Sequence, residues 1–198
     1  MSTPIAFLRH AATAWNADHR LQGMTDTPLS AVGEAQACSW QLPEPVAGWR
    51  RYCSPLQRAR RTAELLHPPA PVTISSALRE MSFGVWEGHT IAELRLAVGP
   101  AFIAEESKGL DFQPPLGESP RAVILRLQAW LATLDQSALA VSHKAVIRAL
   151  LSLATGWDMT DRPPWRLDWR RLQVFEAGAD GSLRLCELNV PLAQRRGQ

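Results

Sequence analysis

Cysteine is scarce in this 198-residue chain. Only Cys38, Cys53 and Cys186 occur, an odd number, far apart and with no Cys-x-x-Cys pair. That spacing argues against a disulfide framework and against a zinc knuckle, and a reducing cytoplasm is the compartment it fits. Long apolar runs are missing as well. Nothing approaches the ~18 consecutive apolar residues of a membrane span. Near the start only Pro4 to Leu8 is apolar, with no basic segment before it, which is too little for a signal peptide. Charge of one sign is not in excess either: the net charge of +2 is evenly spread. Neither nucleic acid nor a membrane surface is expected as a partner. Histidine, cysteine and acidic residues show no metal-ligand spacing, so no metal and no cofactor is expected. Repeats and low-complexity linkers are absent, and the length then favours one domain over residues 1–198.

What is present is apolar patterning that alternates between strand and helix. Hydrophobic residues make up 46% of the chain. Ile5 to Leu8 reads as a short buried strand, followed by a polar loop to about Pro28. Ser30 is placed to cap a helix running to about Trp40. Tyr52-Cys53 ends a second strand. Ser54-Pro55-Leu56-Gln57 then has the form of a helix start, with Ser54 as N-cap, and that helix stops before Pro68. Val72 to Ile74 is a third strand. Helical stretches follow over roughly Thr90 to Glu106 and Ser119 to Leu134. Ala138 to Val141 is a buried strand, and Lys144 to Ala154 a helix ended by Gly156. Leu172 to Phe175 and Leu183 to Leu188 form a hairpin through Asp180-Gly181. Arg195-Arg196 closes the chain as a frayed tail. The expected fold is an α/β three-layer sandwich: a largely parallel central sheet with an antiparallel edge, and helices on both faces.

Charged or titratable residues end a strand or open the next helix at Arg9-His10, Arg58, Glu80 and His143. In open α/β folds the carboxyl ends of the strands form the ligand crevice. Neighbouring side chains on a strand point to opposite faces, so Arg9 and His10 share a site only if the strand ends there. Helix starts at Ser54 and near Ser142 would aim free N–H groups at the same crevice. Two arginines, two histidines and two helix starts suit a phosphate-sized dianion.

The block Phe7-Leu8-Arg9-His10-Ala11-Ala12-Thr13-Ala14-Trp15-Asn16 resembles the signature of the histidine phosphatase superfamily, which includes the cofactor-dependent phosphoglycerate mutases. The resemblance continues through Arg20-Leu21-Gln22-Gly23, Asp26-Thr27-Pro28-Leu29-Ser30, Ser54-Pro55-Leu56-Gln57-Arg58-Ala59, Leu78 to Gly88 and Val141-Ser142-His143, in family order. It implies that His10 is a nucleophile that becomes phosphohistidine. It further implies that Arg9, Arg58 and His143 hold the phosphoryl oxygens and that Glu80 donates a proton to the leaving oxygen. Asn16, Gln22 and Gly23 fall where the family contacts phosphate or substrate.

Two departures stand out. Ala11 replaces the family's usual glycine, which would cost ~1–2 kcal/mol if the backbone there were left-handed. Lys144 follows the second histidine, also in place of glycine; it either adds a cation facing substrate or points to solvent. The reading that results is a metal-independent phosphomonoester phosphatase of the phosphatase branch, acting on a small phosphorylated metabolite, with a homodimer left open. A phosphoglycerate mutase-type phosphotransferase is the alternative, and a non-catalytic phosphate-binding protein is the third. The middle segment is compact, and Arg121 and Arg126 are separated within a helix rather than forming a mutase's basic pair, which favours the phosphatase.

Overall fold

The computed structural model describes residues 2–68 and 70–194. The apolar run near the start becomes strand β1 (Thr3–Arg9), at the heart of a six-stranded sheet. Strand β3 (Arg50–Cys53) and strand β5 (Ala138–Ser142) are buried for most of their length, as a strand covered on both faces must be. The sheet order is β4-β3-β5-β1-β6-β7, where β4 is Thr73–Ile74, β6 is Leu172–Ala177 and β7 is Leu183–Val190. Strands β4, β3, β5 and β1 run parallel, with Ile5 opposite Ala138 and Arg9 opposite Ser142. The β6–β7 hairpin then adds an antiparallel flank beside β1.

Strand periodicity divides the interior into two cores. Ile5, Phe7, Ala138 and Ala140 point to one face, and Ala6, Leu8, Leu139 and Val141 to the other. The first face is covered by α6 (Pro120–Leu131) and α7 (Lys144–Thr155), through Val123, Leu127, Ile147 and Leu150. On that side Phe7 meets Trp130 and Phe175 edge-on, at centroid distances of 6.2 and 6.0 Å. Each such ring contributes about 1.5–3 kcal/mol by burial. The second face carries α2 (Ala31–Ser39) and α3 (Gln57–Leu65), through Ala37, Ala59 and Ala63. This is the α/β sandwich, with its carboxyl strand ends gathered along one edge.

Several local expectations are corrected. The loop before Pro28 contains a short helix, α1 (Ala14–Ala17), capped by Thr13. The stretch from Thr90 to Glu106 is two helices, α4 (Ile91–Val98) and α5 (Pro100–Glu106). Proline disfavours helical geometry in the residue before it, and Gly99 turns instead through φ +66°. Trp40 leaves α2 to start β2 (Trp40–Gln41), which pairs with β8 (Ala193–Gln194). Ser54 does not cap α3: Leu56 is its N-cap and makes no side-chain cap bond. By contrast Ser30 and Ser119 cap α2 and α6, accepting from Gly33 and Ala122 N–H. Arg195-Arg196 lies outside the described residues. No described helix is long and apolar enough to cross a membrane.

Candidate active site

Strand β1 ends at Arg9, and the backbone of His10 makes one more bond, donating to Ser142 carbonyl at 2.9 Å. Beyond it the chain is pinned by side chains from the helices of the second face. Ala11 N–H donates to Thr62 Oγ1 (3.0 Å) and Ala12 N–H to Gln36 Oε1 (3.2 Å). Gly33 is required beneath this loop, because a Cβ there would collide with the Ala12 carbonyl. Ala11 itself has no positive φ and is 1% exposed within the second core, so the left-handed strain considered for it does not arise.

The His10 ring is buried, and its Nδ1 lies 2.7 Å from the Ala11 carbonyl oxygen. A carbonyl only accepts, so Nδ1 carries the proton and Nε2 keeps its lone pair. Burial, reinforced by Arg9 and Arg58, holds the imidazole pKa well below the ordinary 6.5. The ring is therefore neutral at neutral pH.

His143 sits beside it, with ring centroids 5.2 Å apart. Its Nε2 is 2.7 Å from Ser54 Oγ, and that hydroxyl already accepts from Leu56 N–H at 3.2 Å. Burial, with Arg58 next, pushes the His143 pKa well down too. In a neutral ring whose Nε2 accepts the Ser54 proton, Nδ1 must be the N–H. That Nδ1 is buried with no partner.

Arg58 is wholly buried and anchored by its terminal nitrogens, which donate to the Thr25 and Gly23 carbonyls at 2.8 Å each. Glu87 shapes that loop by accepting from Met24 N–H (2.9 Å) and Thr25 N–H (2.8 Å). Gly23 has φ +52°, and a Cβ there would strike the Glu87 carboxylate. Arg58 Nε has no partner, and neither has Arg9 Nε. The Arg9 guanidinium lies over Trp169, 5.8 Å from the ring centroid. Glu80 is buried; its Oε1 accepts from Met81 N–H (3.0 Å) and its Oε2 more weakly from Ala145 N–H (3.4 Å). Burial outweighs these bonds and the nearby Arg58, and its pKa is raised above the ordinary 4.5.

Arg9, His10, Asn16, Gln22, Arg58, Glu80 and Lys144 all line one cavity of about 610 Å³. A neighbouring cavity of about 860 Å³ shares Arg9, His10 and Asn16 but touches neither Arg58 nor Glu80. Only the first of the two brings Arg58 and Glu80 together with His10. His143 and Gly23 do not line it: His143 stands beside His10, and Gly23 supplies the carbonyl that holds Arg58. Asn16 Oδ1 is spent on Thr13 N–H (3.1 Å), which leaves its amide NH₂ for the cavity. Gln22 Oε1 accepts from Thr27 Oγ1 at 2.7 Å. Among the described residues four buried side-chain nitrogens lack partners, and three of them belong to Arg9, Arg58 and His143. Leaving a buried donor unsatisfied costs ~1–3 kcal/mol. With the Arg9 and Arg58 charges acting on His10 and the His143 ring 5.2 Å from it, these unpartnered nitrogens and a free imidazole lone pair suit an acceptor-rich anion.

A family model described as histidine phosphatase superfamily (branch 1) matches residues 5–189. The chain belongs to the histidine phosphatase superfamily. A protein described as "Probable phosphoglycerate mutase GpmB" from Klebsiella pneumoniae is 33% identical over 171 residues, spanning 77% of this chain and 74% of its own. Among solved structures, a mycobacterial glucosyl-3-phosphoglycerate phosphatase superposes with TM-score 0.78 at 25% identity, covering 96% of this chain and all of that one. The α-ribazole phosphatase of Shigella flexneri gives TM-score 0.77 at 27% identity, over 94% and 96%. The superfamily thus supplies relatives named for mutase and for phosphatase chemistry alike.

Sequence reasoning took Ser54 only as a helix start at the crevice and gave no place in this candidate site to Glu87, to Trp169 or to Arg148, which lines the same cavity. Ser54 carried a signal, but the Ser-Pro context gave it a competing role as a helix cap. Glu87 stood within the quoted Leu78–Gly88 block without a function. Trp169 and Arg148 carried no local signal at all. Among the described residues no three His, Cys, Asp or Glu side chains group to hold a metal ion.

Proposed function

We propose that the protein is a phosphomonoester phosphatase that works through phosphohistidine at His10. The observation that carries this reading is the tautomer: His10 Nδ1 donates to the Ala11 carbonyl, so the lone pair on Nε2 is the free one, and it is neutral by burial. Nε2 attacks phosphorus, the bond from phosphorus to the leaving oxygen breaks, and Glu80 supplies the proton that oxygen takes up. Water then attacks the phosphohistidine, Glu80 recovers a proton from it, and the N–P bond breaks to release phosphate. Arg9 and Arg58 would take the phosphoryl oxygens, with His143 Nδ1–H as a further donor; charge that a metal could neutralise is met by guanidinium groups instead. Glu80 is needed for this chemistry and not for binding alone, which disfavours a non-catalytic role.

Hydrolysis is preferred over mutase transfer because the middle segment presents no basic pair to the cavity. Arg121 is exposed and paired with Asp111 (2.7 and 2.9 Å). Arg126 is held by Glu118 and by the Arg79 carbonyl (2.8 Å). One experiment tests both points. The enzyme is mixed with 3-phosphoglycerate and a bisphosphoglycerate primer, then with a panel of phosphomonoesters, and quenched without acid for peptide mass spectrometry. Phosphate on His10 and phosphate release faster than isomerisation are expected. Label on another residue, undiminished turnover in His10→Ala, or isomerisation that outpaces release would overturn the proposal.

A further inference from the structure

The cavity wall holds more positive charge than a phosphoryl group needs. Beyond Arg9 and Arg58 it includes Arg20, Lys144 and Arg148, against the carboxylates of Glu80 and Glu106. Glu106 is taken by a two-pronged pair with Arg95 (2.9 and 3.1 Å). Arg20 donates to the Gly88 carbonyl at 2.6 Å and lies 3.6 Å from Glu93. Lys144 and Arg148 are different. Among the described residues neither Nζ of Lys144 nor the Arg148 guanidinium has an ion pair or a side-chain hydrogen bond. Each rests on an aromatic face instead, Lys144 at 5.5 Å from the Trp169 centroid and Arg148 at 5.1 Å from that of Trp157. They stand four residues apart on α7, hence on one helix face, where they repel each other. Burial lowers the pKa of both, and no carboxylate acts against it at Arg148. The remaining lining is largely apolar, including Trp15, Phe83, Phe112 and Met159.

Glu80 is the one carboxylate that acts on Lys144 and none acts on Arg148, so an anion entering the cavity meets two neighbouring cations that no ion pair holds. We infer that Lys144 and Arg148 form a subsite for a second anionic group on the substrate. The preferred substrate is thus a phosphate monoester whose leaving group joins an apolar or aromatic body to a carboxylate or a second phosphate. This rests on the phosphoryl pocket proposed above and adds to it the identity of the leaving group.

Non-hydrolysable analogues read the subsite without turnover. Benzylphosphonates carrying 4-carboxy, 4-carbamoyl or 4-phosphonomethyl groups are titrated into the protein by calorimetry. A charge-assisted contact is worth enough to give about a tenfold or greater preference for the charged analogues over the carbamoyl one. The larger preference tells carboxylate from phosphate. In Lys144→Met/Arg148→Met the ratio should collapse towards one, whereas Arg148→Lys, which keeps the charge, should retain most of it. Equal binding of all three analogues by the unaltered protein, or a ratio unchanged in the double variant, overturns the subsite alone. No binding of any analogue overturns the phosphoryl pocket and the subsite together.

Discussion

Replacing Glu80 by glutamine separates proton donation from every other task of that side chain. The carboxylate is held by two backbone donors of unequal strength: Met81 N–H at 3.0 Å to Oε1 and Ala145 N–H at 3.4 Å to Oε2. A glutamine keeps its carbonyl oxygen on Met81 N–H and gives up only the weak 3.4 Å bond from Ala145 N–H, which its NH₂ cannot accept, so the pocket keeps its shape. What it loses is a transferable proton. General acids contribute ~10²–10⁴-fold, or about 3–5 kcal/mol of transition-state energy. An alkoxide leaving group needs that proton; a nitrophenolate leaves nearly unaided. Glu80→Gln should therefore approach the full loss on glycerol phosphate and lose much less on nitrophenyl phosphate. Both are compared as kcat/KM, which reports the first transfer even where dephosphorylation limits the aryl ester.

The same substitution has a pH signature. Only neutral His10 attacks, and its lowered pKa puts the acid-side rise of kcat/KM below 6.5. Only protonated Glu80 donates, and its raised pKa puts the alkaline-side fall above 4.5. Glu80→Gln should abolish that fall. Stability should move the other way. As pH climbs past the ordinary carboxylate value the unfolded chain ionises Glu80 before the folded chain does, so folding loses stability. Glutamine removes this penalty, and the variant should melt higher than the parent at neutral pH, with the gain vanishing in acid. Equal losses on both esters would refute the acid role and leave Glu80 a positioning group. No loss on either would place the acid elsewhere, with Asp26 and Glu34 the next carboxylates to test.

Ser54→Ala removes the hydroxyl bonded to His143 Nε2 and leaves that buried nitrogen unsatisfied; a loss of about 1–3 kcal/mol in stability or in kcat/KM is expected, and an activity and melting curve both unchanged would show that the hydroxyl is dispensable. Activity should also survive a strong chelator with no metal added, because Arg9 and Arg58 meet the phosphoryl charge; loss with EDTA and rescue by a divalent ion would mean the site has been misread.

Much of the architecture follows from the sequence by local rules. The Ile5–Leu8 and Ala138–Val141 runs are buried strands because only a two-faced position satisfies an unbroken apolar segment, and Ser30 and Ser119 cap their helices by bonds spanning three residues. The break at Gly99-Pro100 was equally local, written in the proline's effect on its neighbour. His10, Arg58, Glu80 and His143 were legible because their blocks recur in family order, and Arg9 and His10 share the crevice because β1 ends between them. Tertiary structure decided what depends on residues far apart in the chain. Ser54 meets His143 across 89 positions, a contact that overrides its local fitness as a cap. Strands β2 and β8 are too short to show a period, so only their pairing defines them. Trp169, from the segment before β6, reaches both Arg9 and Lys144. Periodicity and caps act within a few residues and so can be read along the chain; the partner of a buried hydroxyl or an unpaired cation is set by sheet register and helix packing, which exist only once the whole fold has formed.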